Sequence, residues 1–243
     1  MNYNWNWGIF WQPSPEGVGT YFDMLMTGLQ WTLVTALCAW VLALILGSIV
    51  GVARTLPSRA VQRIAGAYVE FFRNIPFLVQ LFLWYFVLPE LLPEAAGLWL
   101  KQLPNAPFWT TMIGLGFFMS VRVAEQLRAG INALPRGQKM AGLALGLTTG
   151  QTYGYVLLPM AYRIILPPLT SELLNTIKNT SVGLTIGLIE LTARARAIQE
   201  FSFQVFEAFT AATLIYLVLN LLVTVLMRWL ERSVAVPGYV AGK

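Results

Sequence analysis

The sequence predicts an all-α, polytopic membrane protein with about five transmembrane helices, its N-terminus outside and its C-terminus in the cytoplasm. Three observations carry that prediction. The composition is 57% hydrophobic and only 11% charged, about half the charge that a soluble domain places on its surface. Uncharged runs cover residues 24–53, 102–121 and 208–227, and each reaches the roughly 20 residues that a spanning helix needs. The basic residues sort by side: Arg54, Arg59 and Arg63 follow the first run, Arg128, Arg136 and Lys139 the second, and Arg228, Arg232 and Lys243 the last. Such ends lie in the cytoplasm under the positive-inside rule. Arg194 and Arg196 run against the sorting, beside Glu190 and Glu200 in the last outer segment.

The same composition excludes several classes of function. Cys38 is the only cysteine and there is no histidine, so there is neither a disulfide framework nor a cysteine and histidine metal-ligand spacing. No G-x-S-x-G or H-E-x-x-H pattern occurs, and no G-x-x-x-x-G-K-[ST] loop that would cradle a nucleotide's phosphates. A net charge of +5 reflects sidedness in a membrane protein rather than a nucleic-acid surface.

The N-terminal segment, residues 1–21, carries Trp5, Trp7 and Trp11 without a basic cluster or cleavage site. It reads as an outer segment resting at the interface, where indole rings anchor, and not as a signal peptide. A single transmembrane domain covers residues 22–232, followed by a cytoplasmic tail, 233–243. In the first span Gly28, Gly47 and Gly51 let a neighbouring helix approach. The second span, 61–92, is interrupted by Arg73 and Pro76. Glu70 and Arg73 share a helical face and can pair, and Pro76 bends the path as a gate component would. Pro89, Pro93, Pro104 and Pro107 mark an outer loop.

The third span ends in Arg122-Val-Ala-Glu125-Gln-Leu-Arg128. A guanidinium at Arg122 costs several kcal/mol so far inside a bilayer unless it has a partner or a water-filled cavity. Two readings stay open: Glu125, one turn away, neutralises it, or Arg122 holds an anionic substrate in two-point geometry. The loop 135–150 is amphipathic, with a helix expected over 138–147 that puts Met140, Leu143, Ala144 and Leu147 on one face and ends at Gly146. It rests on its own bundle or docks a soluble partner.

A fourth span starts near Gln151 and is expected to break at Leu166-Pro-Pro-Leu169. Residues 170–181 are too polar for lipid and read as re-entrant or cavity-lining. There Asn179, Thr180 and Ser181 cap the next helix or hydrogen-bond a substrate. The last span, 206–229, carries Asn220 at its centre, suited to a bond between helices.

Several motifs resemble a known family. Gly137, Gln138, Ala141, Gly146 and Leu147, followed by Leu158-Pro159 and Leu166-Pro167-Pro168, resemble the coupling-loop signature of ABC importer permeases of the polar amino-acid uptake branch. Met140 stands where that signature usually has glutamate, and Gly142 is its second small residue, so the resemblance implies docking by packing or through Lys139. Glu70, Arg73 and Pro76 match an E-x-x-R-x-x-P element. Glu125 and Arg128 match A-E-x-x-R-x-G-I, and Lys178-Asn-Thr-Ser181 resembles K-[DN]-[TS]-S-L. The start Asn4-Trp-Asn-Trp-Gly-Ile-Phe10 and the extra Arg122 are similar to the glutamate/aspartate permeases. A second substrate carboxylate gives that arginine a purpose.

The resemblance implies a bacterial inner-membrane permease subunit with a second permease chain, a paralogue or a copy. It also implies two ATP-binding subunits that bind ATP and Mg in this chain's stead, and a periplasmic amino-acid-binding protein. The alternative is an ion- or proton-coupled secondary amino-acid carrier. A membrane-embedded enzyme lacks any nucleophile and base constellation.

Overall fold

In the computed structural model, which describes residues 3–17 and 19–234, every regular element is helical. After a 3₁₀ turn at Trp7–Trp11, helix α1 runs Tyr21–Ala53. Its start is a reciprocal cap: the Asp23 carboxylate accepts from the Thr20 backbone N–H at 2.7 Å and the Asp23 N–H donates to the Thr20 hydroxyl at 3.3 Å. Then follow α2, Arg59–Asn74; α3, Phe77–Leu91; α4, Glu94–Lys101; α5, Ala106–Ala133; α6, Arg136–Ala144; α7, Thr149–Thr152; α8, Leu158–Asn179; α9, Leu191–Ser202; and α10, Val205–Val234. By length and composition α1 and α10 can cross a membrane, and a third crossing results if α2 and α3, broken at Ile75-Pro76, form one span. Helix α5 holds 28 residues, but Thr110, Thr111, Ser120, Arg122, Glu125 and Arg128 dilute its apolar character.

Prolines act differently from the sequence expectation. Helix α8 passes through Pro167 and Pro168 without a break. Their φ suits a helix, and Ala161, Ile165 and Leu169 are buried along it, so packing outweighs the lost N–H bonds. The irregularities sit before other prolines. In the π turns Leu83–Val87 and Tyr153–Leu157, the Leu88 N–H reaches the Leu83 carbonyl and the Leu158 N–H the Tyr153 carbonyl. Each widened turn gives the following Pro89 or Pro159 ring room against the preceding carbonyls.

The contacts divide the chain into two units, each with its own core. The first comprises Met1–Trp40, Pro76–Leu115 and Asn175–Leu222. Ile9, Tyr21, Met24 and Leu25 pack there against Leu191, Ala195, Ile198, Ala208 and Ala212. Two carboxylates are fully buried in it. Glu190 caps α9 through the Ala193 N–H at 2.8 Å and accepts from the Tyr216 hydroxyl at 2.8 Å. Glu207 accepts from the Tyr3 hydroxyl and, at 2.7 Å, from the Asn6 N–H. These bonds tie the N-terminal segment to α10 while Trp5, Trp7 and Trp11 stay exposed. Ion pairs in this unit join Lys101 with Glu90, Arg194 with Glu16 and Arg196 with Glu200, and the last two give acidic partners to the two arginines that break the charge sorting.

The second unit comprises Val41–Ile75, Gly116–Leu174 and Val223–Lys243. Here α1 meets α5 backbone to backbone. A Cβ on Gly47 would lie 2.5 Å from the Val123 Cβ and 2.7 Å from the Ser120 carbonyl oxygen, and one on Gly51 2.9 Å from the Ala124 carbonyl oxygen. The Tyr68 and Ser120 hydroxyls join α2 to α5 at 2.7 Å. In the first unit, Asn220 donates to the Tyr216 carbonyl of its own helix at 2.7 Å. Residues 235–243 of the expected tail, with Pro237-Gly238, lie outside the described residues.

The close α1–α5 approach makes a prediction. Gly47→Leu should destabilise the purified protein by about 1–3 kcal/mol, whereas Gly66→Ala on α2, where nothing lies within 4 Å, should be neutral or stabilising. Thermal unfolding in detergent measures both.

Candidate functional site

Two sequence-predicted sites fall in the second unit. The amphipathic loop forms α6, which starts two residues before the expected position and stops at Ala144. Gly146, at φ +80°, ends it. The Leu147 N–H bonds the Gly142 carbonyl at 3.1 Å and the Gly146 N–H the Leu143 carbonyl at 3.0 Å, the paired reversal of a Schellman motif. Thr148 then opens α7 with a capping box shared with Gln151. One turn is therefore pinned from both sides.

On α6, Gly142 is buried against Thr152, where a Cβ would stand 3.1 Å from its methyl group. Met140, Leu143 and Leu145 are instead exposed, at 66%, 43% and 83%. Gly137 and Ala141 are exposed too, with Gln138, Lys139 and Leu147 half-buried. The Lys139 ammonium sits 5.9 Å above the Tyr153 ring, and the Tyr153 hydroxyl donates to the Thr55 carbonyl at 2.8 Å. So Lys139 is engaged with its own bundle, and the free face of the helix is apolar.

The second site is a charged cavity of about 370 Å³, lined by Arg73, Phe118, Val121, Arg122, Glu125, Gln126 and Glu172. Of the two readings of Arg122, the pairing with Glu125 is not the one formed. Glu125 accepts from Arg128 at 3.0 Å and pairs with Arg54; both cations lie toward the end of the α1 and α5 helices, which leaves Arg122 to another partner. That partner is Glu172 of α8, its Oε2 3.8 Å from the Arg122 Nε. The Glu172 side chain is 11% exposed and Arg122 51%, and the guanidinium also lies 5.8 Å from the Phe118 ring.

Glu70 and Arg73 pair at 3.3 Å as predicted, and the Asn74 amide donates to Glu70 at 3.2 Å. Both charges are more than half exposed, so the pair adds little to stability. Pro76 caps α3 in extended backbone, after Ile75 has left the helix. Burial and then the like charge of Arg128 lower the Arg54 guanidinium from its ordinary value, with Glu70 opposing and Arg73 adding to the fall. The arginines and glutamates around Arg54 thus act on one another as a network.

Asn179, Thr180 and Ser181 are not brought to this cavity; they belong to the first unit. None caps the following helix. The Asn179 amide donates to the Asn175 carbonyl at 2.8 Å, Thr180 to Ile177 at 2.8 Å and Ser181 to Lys178 at 2.7 Å, and the cap of α9 comes from Glu190. Sequence reasoning missed Glu172 as a site residue. Its signal is an acid inside the polar tract 170–181, four residues past a proline pair that the helix passes through.

The family described as the binding-protein-dependent transport system inner membrane component matches residues 23–236. The glutamate/aspartate import permease protein GltJ of Escherichia coli K12 is 47% identical, over 100% of both chains. The probable amino-acid ABC transporter permease protein PatM of Vibrio harveyi is 35% identical over 88% of each. Among solved structures, an amino acid ABC transporter crystallised with histidines has a TM-score of 0.74 at 30% identity, covering 88% of this chain and 95% of that one. The MetNI methionine ABC transporter in an inward-facing conformation has the same TM-score, 0.74, at 20% identity, with 88% and 97% covered, a likeness of fold.

Removing the acid that two arginines share should be costly. Glu125→Gln should destabilise the purified protein by about 1–3 kcal/mol, because Arg54 and Arg128 lose their partially buried counterion. Arg73→Gln, at an exposed pair, should change stability by less than about 1 kcal/mol. Chemical denaturation in mixed micelles compares them.

Proposed function

We propose that this chain, which belongs to the family of binding-protein-dependent transport system inner membrane components, is the permease subunit of an ATP-driven importer that carries glutamate and aspartate across a bacterial inner membrane. The observation that carries the substrate assignment is the likeness, along the full length of both chains, to a glutamate/aspartate permease at 47% identity. The geometry supplies the chemistry. Arg122 projects into a cavity of about 370 Å³ with Arg73 beside it, and a guanidinium meets a carboxylate in two-point geometry.

Five spans account for the chain in this role: α1, the broken pair α2 and α3, α5, α7 with α8, and α10. The polar residues of α5 and α8 then face a watery pathway rather than lipid. Charge supports the orientation. The first unit holds Lys101, Lys178, Arg194 and Arg196 against Glu16, Asp23, Glu90, Glu94, Glu190, Glu200 and Glu207, while the second holds the remaining basic residues against Glu70, Glu125, Glu172 and Glu231. The basic loop that carries α6 belongs on the cytoplasmic side by the positive-inside rule.

Energy comes from outside the chain. Two ATPase subunits bind ATP and Mg and dock on α6, through Met140, Leu143 and Leu145 and the small residues between them. A second permease chain completes the pathway, and a periplasmic binding protein delivers the amino acid. ATP-driven movement of the ATPases pulls on α6, and the pathway changes its access by rocking. Pro76 sits at the break where a gate would flex.

One observation favours a proton-coupled carrier instead: among the described residues, Glu190 and Glu207 are fully buried and make no ion pair. Each is satisfied by hydroxyl and N–H donors that join elements of the first unit, which is a structural task. Uptake into proteoliposomes separates the two. Transport should require ATP and ATPase subunits and should persist when a protonophore collapses the proton gradient; uptake without ATP would refute the importer. ATP hydrolysis should rise several-fold when glutamate-loaded binding protein is added. Arg122→Gln should cut glutamate uptake by at least about tenfold while the subunits still co-purify. Met140→Asp with Leu143→Asp should instead lose the ATPase from the complex, since a charge on an apolar docking face is left without a partner.

A further inference from the structure

We propose that a cavity formed by α3, α4 and α5 in the first unit binds one phospholipid, a zwitterionic lipid whose headgroup carries a primary ammonium beside its phosphate. The cavity measures about 560 Å³, within the range of small-molecule sites. Its walls are largely aromatic: Trp84 and Tyr85 come from α3, Trp99 from α4 and Trp109 from α5. Trp99 and Trp109 are 62% and 43% exposed, and indole rings at the end of a spanning segment lie at headgroup level. With α3 and α5 read as parts of spans, an apolar cavity in that place has acyl chains beside it. The substrate of the importer plays no part in the inference.

Three local departures from regular helix frame the cavity. The π turn Leu83–Val87 carries Trp84 and Tyr85, and the wider turn moves side chains off the regular helical face. Gly97 seats α4 on the end of α3, where a Cβ would overlap the Pro89 carbonyl oxygen. Asn105, at φ +57°, turns the chain so that its carbonyl accepts from the Phe108 and Trp109 N–H groups at 2.9 and 3.3 Å. Asparagine is among the few residues that adopt this conformation readily.

Charge selects the lipid. Among the described residues, Lys101 is the one charged side chain that lines the cavity, and its ammonium holds Glu90 at 2.6 Å. An ammonium has three donors and a carboxylate about four acceptor sites. A lipid phosphate therefore joins Lys101, and a lipid ammonium joins Glu90, without breaking the pair. Between Pro76 and Leu115 the charges are Lys101 against Glu90 and Glu94, a net negative set that opposes an anionic lipid and favours one that brings its own cation.

The test uses the full complex of permeases and ATPases, stripped of lipid in detergent, and measures binding of dioleoyl-phosphatidylethanolamine and dioleoyl-phosphatidylglycerol by native mass spectrometry. The wild type should hold one ethanolamine lipid per copy of this chain, at least about tenfold tighter than the glycerol lipid. Ala106→Phe and Thr110→Phe, which fill the cavity from α5, should each weaken it at least about tenfold. Lys101→Gln, a change at an exposed side chain, should weaken it about three- to tenfold, and Glu90→Gln should narrow the preference between the two lipids. In native membranes, p-benzoylphenylalanine in place of Leu103 should crosslink to a lipid. Equal affinity for the two lipids overturns the proposal, as do cavity-filling variants that bind lipid like the wild type, or a crosslink to a neighbouring protein or to none. ATP-dependent glutamate uptake is measured on the same complexes, so a failed lipid site with uptake intact counts against this inference alone.

Discussion

A charged group inside a bilayer must find an opposite charge, a hydrogen-bond partner or water, because hydrocarbon offers none of them. Much of this chain's architecture follows from that constraint. The second unit meets it with ion pairs: Arg54 and Arg128 share Glu125, Arg73 takes Glu70, and Arg122 takes Glu172. The first unit meets it with neutral donors, Tyr216 and the Ala193 N–H for Glu190, and Tyr3 and the Asn6 N–H for Glu207. These solutions differ in consequence. Hydroxyl and N–H donors join Glu190 and Glu207 to neighbouring elements without a counter-charge, whereas each pair of the second unit sets one charge against another.

The backbone obeys the same constraint at its prolines. Each proline removes a donor and crowds a carbonyl one turn back. In α8 the two adjacent prolines lie in a helix whose other residues are packed, and the helix continues. Ahead of Pro89 and Pro159 the chain widens into a π turn instead. At Pro76, as at Pro93 and Pro135, one helix has stopped and the proline stands as the cap of the next, and at Pro76 the residue before it, Ile75, is extended. A break rather than a bend at that point leaves two soft dihedrals between rigid rods, which is the mechanical property that a gate needs.

Local signals in the sequence were sufficient wherever the physics is local. Uncharged runs foretold α1 and α10, Glu70 and Arg73 pair at the spacing that a helix imposes, and Gly146 terminates α6 at positive φ because few other residues tolerate it. Partners distant in sequence were not legible in the same way. Glu125 is nearer in sequence to Arg122 than Glu172 is, so one-turn spacing offers Glu125 as a partner and is silent on Glu172. The helix rotation places Glu125 with Arg54 and Arg128, and the true partner arrives from α8. The polar tract leaves Thr180 and Ser181 open to capping a helix or to bonding a substrate, and each hydroxyl donates to a carbonyl in its own turn. Propensity decides such cases only when no nearer acceptor exists.

The amphipathic helix α6 shows how local rigidity serves a docking role. A helix of nine residues is too short to be stable by itself, so its shape must be imposed from its ends and from beneath. The Schellman turn at Gly146 and the capping box at Thr148 impose it at one end. Gly142 lets the helix settle onto Thr152, and the Lys139 ammonium over Tyr153, itself bonded to Thr55, fastens it below. With those contacts made, the side chains left outward are Met140, Leu143 and Leu145. A glutamate in place of Met140 would add a charge that must be matched across an interface; the thioether needs only a shaped apolar surface. The outward face is therefore apolar and rigidly framed, which is what the proposed docking by fit requires.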